Sequence, residues 1–205
     1  MLGACWLKVL MCICPAPVAA GKTALFKTLS YHDDACSQTF KALVDARADL
    51  DVVNNGYFIY YFFDRLKIHT TLYAAGMGVL HILASQAQRR HLVEIILKGG
   101  ANPDIVTSDG RTAVMLAVDL DVVRVLLARG ADVHKTDSLG NTALHHKVRE
   151  FKFEQINYLL DIGCDTSLKN SSQQTALILA QSKPCYRADW EQMQKVIERL
   201  QHADS

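Results

Sequence analysis

The chain has 205 residues, half of them apolar, and its 22 Lys and Arg nearly cancel 21 Asp and Glu to leave a formal net charge of +1. This length suits one domain with a sizeable core. Near neutrality gives no general pull toward nucleic acid or acidic membranes, and the longest basic run, Arg89-Arg90-His91, reads as a solvated face at a helix start.

The N-terminal stretch, residues 1–20, carries an apolar run from Trp6 to Ile13 and small residues at Val18-Ala19-Ala20. That composition is shared by a signal peptide, but Lys8 interrupts the apolar run and cleavage would leave Gly21-Lys22-Thr23 as the new end. Pro15 and Pro17 break it as a membrane helix, which needs about 20 apolar residues. A degenerate half-unit, with Leu7 to Met11 as a helix followed by a turn, is the preferred reading. Ala16 to Thr23 also fits a loose phosphate-loop pattern, in which Lys22 would reach the phosphates and Thr23 would hold magnesium. The loop has a single glycine, so its backbone is poorly suited to close phosphate approach. A nucleotide-binding protein using Ala16–Thr23 stands as the enzymatic alternative.

From residue 21 onward, turn-plus-helix segments recur. The first runs from Gly21-Lys22-Thr23-Ala24-Leu25 through Phe40 to Val44 and on to Ala48-Asp49, and the second from Gly76 through His81 to Gly100-Ala101-Asn102. The third, fourth and fifth open at Gly110, Gly140 and Gln173, where Gln173 stands in a glycine position. Thr142 and Thr175 are 33 residues apart. Apolar positions such as Ala143, Leu144, Val148, Ile156, Leu159 and Leu160 fall at helical spacing on faces that pack inward. The second, third and fourth units close on a glycine suited to the left-handed residue past a helix end, at Gly100, Gly130 and Gly163. From Thr112 to Gly130 is 18 residues, against 21 from Thr142 to Gly163, so the third unit should have a clipped turn near Asp119 to Asp121. Residues 57–72 interrupt the pattern, and Tyr57 to Phe63 holds six of the sixteen aromatic residues. They read as an irregular insertion against the side of the stack, with a partner anchor as the functional alternative.

These units resemble the ankyrin repeat, whose signature is Thr-Pro-Leu-His at helix-compatible spacing and whose period is 33 residues. Ala or Val replaces the proline throughout. His81 and His145 keep the histidine, while Phe26, Met115 and Ile178 replace it elsewhere. A histidine there reads as a hydrogen-bonding helix-start residue, and Cys164, where the family usually has Ala, as a small buried thiol. The resemblance implies an all-α solenoid of stacked helix-turn-helix units with connecting β-turn or hairpin loops. It places the repeat domain at residues 21–205, after the half-unit at 1–20.

The resemblance further implies a non-catalytic adaptor or scaffold that binds a protein partner through its turns and concave inner-helix surface, with no cofactor or metal. Carried over position by position, the contact residues are Ser108, Asp109 and Arg111 in the third unit and Ser138, Leu139, Asn141, Arg149 and Glu150 in the fourth. The expected protein is monomeric. Cys5, Cys12, Cys14, Cys36, Cys164 and Cys185 show no disulfide-framework spacing, which points to the cytoplasm, with the nucleus as the alternative, rather than to secretion. A fragment or short isoform of a larger repeat protein, with its activity in another domain, is the remaining alternative.

Overall fold

The computed structural model describes residues 34–45, 50–51, 76–182 and 189–203. The half-unit at 1–20, the phosphate-loop pattern and the aromatic insertion at 57–72 lie outside these residues. Among those described, every regular element is a helix: α1 (Asp34–Asp45), α2 (Val79–Ala84), α3 (Arg90–Lys98), α4 (Ala113–Leu116) and α5 (Leu120–Ala128). The series continues through α6 (Ala143–Arg149), α7 (Phe153–Asp161), α8 (Ala176–Ser182) and α9 (Trp190–Ala203).

Helices this short are marginal alone and need tertiary packing to persist. They find it in two layers. The inner helices α2, α4, α6 and α8 stack in sequence, and α1, α3, α5, α7 and α9 do the same outside them. Leu144 and Val148 of α6 interleave with Ile156 and Leu159 of α7, all at most 2% exposed. Leu160, expected inward, is only half-buried against this core. Arg89, expected on a solvated face, is buried too, at the start of α3.

The outer helices α3, α5 and α7 stop the same way. The N–H of Ala101 bonds the carbonyl of Ile96, Ala131 bonds Leu126 and Cys164 bonds Leu159, each five residues back and at 3.1–3.2 Å. Such a wrap requires a left-handed residue between them. Gly100, Gly130 and Gly163 supply it with φ of 95°, 87° and 77°.

The tips that join the units form a ladder. Asp137 N–H bonds the Asn141 carbonyl and Gly140 N–H bonds the Asp137 carbonyl; Thr107 and Asn170 head identical loops. Adjacent tips are then tied by Ser138 N–H to the Asp109 carbonyl at 2.9 Å and Ser171 N–H to the Leu139 carbonyl at 2.8 Å. Gly140 serves two needs here. Its φ is 73°, and an added Cβ would lie 3.2 Å from Asn170 Cα and Ser171 N. Gln173 holds the same conformation at φ 59°, a strained choice for a residue with a Cβ.

The histidines bond at their helix starts as expected, and they also stitch units together. His81 Nδ1 accepts the Gly78 N–H at 3.0 Å, and its Nε2 reaches the Ile105 carbonyl of the next unit at 2.9 Å. His145 repeats this with Thr142 behind and the Gln174 carbonyl ahead at 3.0 Å. Both rings are therefore neutral with the proton on Nε2. Burial lowers the pKa of each.

The third unit is shorter, but the loss falls before the expected Asp119 to Asp121 turn: α4 has four residues against seven in α6, and both units link their two helices through three residues. The third unit's exposed carbonyls are recovered by the fourth unit. Lys147, fully buried, donates from Nζ to the carbonyls of Met115 at 3.0 Å and Ala117 at 2.6 Å. Gln155 Nε2 donates to the Val118 carbonyl at 2.6 Å, while Val118 N–H bonds Ala84 of the second unit. Burial pushes the Lys147 pKa down to about 8, which still leaves most of it protonated near neutral pH.

Leu159→Ala should destabilise the stack by about 2–5 kcal/mol through lost burial and a residual cavity, measured by urea denaturation. Gln173→Gly should stabilise by up to about 1 kcal/mol, relief of the left-handed strain being partly offset by the freer unfolded chain. Gly140→Ala should destabilise in the same assay, since a Cβ there also meets backbone. Stability should also depend on pH. The folded state holds His81, His145 and His146 below their ordinary 6.5, His146 at about 4. Between about pH 6.5 and those lowered values, unfolding takes up protons. The urea midpoint should therefore be highest above about pH 6.5 and fall steadily toward pH 4; a flat profile would contradict neutral, buried rings.

Candidate functional site

The residues expected to meet a partner fall on two tips and the end of one inner helix. Ser108, Ser138, Leu139, Arg149 and Glu150 are exposed, and Asp109 and Arg111 half-buried. Asn141 departs from that expectation at 3% exposure. Its Nδ2 donates to both carboxylate oxygens of Asp137, and its Oδ1 accepts the Asn170 side chain at 3.1 Å. Asn141 therefore ties the fourth tip to the fifth. It holds the surface from behind.

Asp137 is the residue that organises the fourth tip. Its Oδ1 accepts the backbone N–H of Leu139 at 2.9 Å and of Asn141 at 2.8 Å, and its Oδ2 faces His146 Nε2 at 2.9 Å. Burial alone would raise this carboxyl, but the Asn141 backbone and side-chain donors and the His146 ring outweigh it and hold the group below the usual carboxylate range. A carboxylate with several donors can remain ionised in the interior.

His146 passes that order to the helix end. Arg149 Nη2 donates to His146 Nδ1 at 3.0 Å. A guanidinium has only donors, so Nδ1 must be the acceptor and Nε2 must carry the proton toward Asp137. Burial pushes the His146 pKa down to about 4, with Arg149 and Arg111 adding repulsion and Asp137 opposing. The ring stays neutral at physiological pH.

Leu139 and Arg149 are thus set in place by one buried carboxylate. The Leu139 backbone is bonded on both sides, through N–H to Asp137 and through its carbonyl to Ser171, while its side chain is 59% exposed. In the third unit, Arg111 Nε pairs with Asp109 Oδ2 at 2.8 Å, and Asp109 also takes the Thr107 hydroxyl. The two tips present different chemistry, an intramolecular ion pair beside an uncovered leucine. Cys164, expected as a buried thiol, is half-buried, and burial raises its pKa to about 11.

Asp137 and His146 escaped the sequence reading. An aspartate heading an Asp-Ser-Leu-Gly-Asn turn is a signal for side-chain bonding to the following N–H groups. A second histidine beside His145 had no such rule attached to it. Among the described residues, no helix is long and apolar enough to cross a membrane.

Sequence comparison agrees with the geometry. The family model described as ankyrin repeats (3 copies) matches residues 64–137 and 119–188. The chain is 28% identical over 163 residues to human neurogenic locus notch homolog protein 1, covering 78% of this chain and 6% of that protein. It is also 28% identical over 171 residues to the mouse B-cell lymphoma 3 protein homolog, covering 80% of this chain and 33% of that one. The chain thus spans a minor part of either relative. Stacked units, tip ladder and matched residues together establish that the chain belongs to the ankyrin repeat family, whose repeats form protein-protein interaction modules.

Proposed function

We propose that the chain acts as a non-catalytic adaptor, binding a protein partner at the tips of the third and fourth units and the exposed end of α6. The observation that supports this most is the bonding around Asp137, which fixes an exposed leucine and an arginine before any partner arrives. Order of that kind matters because immobilising rotamer-rich side chains on binding costs about 0.5–1.5 kcal/mol each. An arginine whose position is already set loses less.

The proposed contact is an apolar anchor at Leu139 flanked by Arg149, with Ser108, Ser138 and Glu150 at its polar rim and the Asp109–Arg111 pair beside it. Arginine is enriched at binding hot spots, and such anchors sit within a rim of weaker contacts. Asn141, Asp137 and His146 support that surface from below. Catalysis plays no part in the reading.

In the double variant Leu139→Ala with Arg149→Ala, the leucine change should alter stability by no more than about 0.5 kcal/mol, the usual range for surface changes, while the arginine change also removes the donor to His146 Nδ1 and should cost about 1 kcal/mol. The variant's affinity for a protein captured by the immobilised wild-type chain and verified with purified components should fall by about 2 kcal/mol, roughly thirtyfold. Titration calorimetry with that purified partner checks this. Unchanged affinity would move recognition off these tips.

A further inference from the structure

A notch of about 960 Å³ opens beside the shortened inner helix of the third unit. Its floor includes Val118 and Asp119, one wall carries Gln88 and Arg90, and the other carries Phe151 to Gln155. It lies on the inter-helix turns, where the third unit falls short of its neighbours, and is separate from the tip residues described above. We propose that this notch is a docking slot for an extended segment of a protein partner that presents an apolar side chain between basic ones.

Three observations argue for that occupant. First, Phe151 and Phe153 line the wall, both half-buried, with ring centroids 6.2 Å apart and tilted by 56°. Phe151 holds a left-handed backbone at φ 57°, and Gln88 on the facing wall does so at 63°. At Phe151 the wrap that ends α6, Lys152 N–H to the Lys147 carbonyl at 3.0 Å, calls for a left-handed residue, yet an aromatic stands there, and an amide at Gln88, where glycine would be unstrained. Strain retained in that way clusters at binding sites.

Second, the charges favour an incoming cation. Arg90 is already held by Glu94 at 2.9 Å and Asp121 at 3.5 Å. Arg124 faces Asp121 at 3.4 Å and lies over the Tyr158 ring at 5.3 Å. An incoming carboxylate would have to compete for both arginines. Asp119 Oδ2 already accepts the Gln88 N–H at 2.8 Å but keeps its charge on the rim with Glu154, opposed by Lys152, so lysine or arginine on the partner is the better complement.

Third, Gln155 supplies an acceptor. Its Nε2 donates to the Val118 carbonyl at 2.6 Å, which fixes the amide orientation, since the reverse would set two oxygens together. Its Oε1 is buried and has no donor among the described residues. A small shift on docking would offer it to a backbone N–H of the occupant. An open slot with an ionic rim suits a polypeptide better than an apolar small molecule, which calls for an enclosed and mostly apolar pocket.

The test titrates the isotope-labelled full chain with an acetylated and amidated Lys-Phe-Lys-Leu-Lys peptide, followed by NMR, with Glu-Phe-Glu-Leu-Glu as the comparison. Saturable shifts should gather at the amides of Gln88, Asp119 and Phe151 to Gln155, and the glutamate peptide should bind at least about tenfold more weakly. Phe153→Ala should weaken binding by a similar factor. Because Phe153 packs against the core, the exposed Glu154→Lys serves as the variant that keeps the fold, and it too should weaken binding about tenfold. Leu139→Asp at the tips should leave the titration unchanged. Absent or scattered shifts, equal binding of the two peptides, or full affinity in Glu154→Lys would overturn the proposal.

Discussion

A unit of two short helices cannot surround its own backbone, so the polar ends of each unit must be satisfied by its neighbours. A buried carbonyl left without a donor costs about 1–3 kcal/mol, comparable to burying one leucine. The structure meets this at every junction between the second and fifth units. His81 and His145 reach forward to the Ile105 and Gln174 carbonyls, and Lys147 and Gln155 reach back to Met115, Ala117 and Val118. Stability in such a stack is a matter of nearest neighbours.

The direction of these bonds follows the local sequence. Where the third unit has Met115 in place of histidine, no side chain of α4 can reach forward, and the early end of that helix leaves extra carbonyls uncovered. A lysine has three donors and a long flexible stem, which suits it to span two carbonyls from the next helix. Its burial is severe enough to lower its pKa to about 8. Removing the amine would strand those carbonyls in the interior, so the deletion in the third unit and the lysine in the fourth make one arrangement.

Much of this was legible from sequence because it rests on spacing. The 33-residue step, the closing glycines and the shortfall in the third unit all depend on residue counts, and each corresponds to a feature of the stack. Side-chain direction was harder to read. Asn141 was expected at the surface because its position lies beside the tip glycine, yet its amide turns inward to Asp137. Lys147 reads as a solvated charge until the carbonyls of a neighbouring unit are in view. The notch was equally hidden, since a missing turn shows as a number in the sequence and becomes a space only when the flanking units are in place.

The repeat also shows why the candidate anchor belongs to the fourth unit among those described. Linking tip to helix end requires an ionised residue heading the tip, a ring four residues after the threonine and a donor at the helix terminus. The ring position is Ile82 in the second unit, Leu116 in the third and Leu179 in the fifth, and His146 in the fourth. Thr107 and Asn170 head the adjacent tips, and each can hold its own loop but carries no charge. With Asp137, His146 and Arg149 together, the fourth unit can fix its tip and its helix end from one point, while the third spends its charges on the Asp109–Arg111 pair. Identical backbone ladders thus yield one tip with a preset anchor and another closed on itself, and the difference lies in three side chains that the fold does not require.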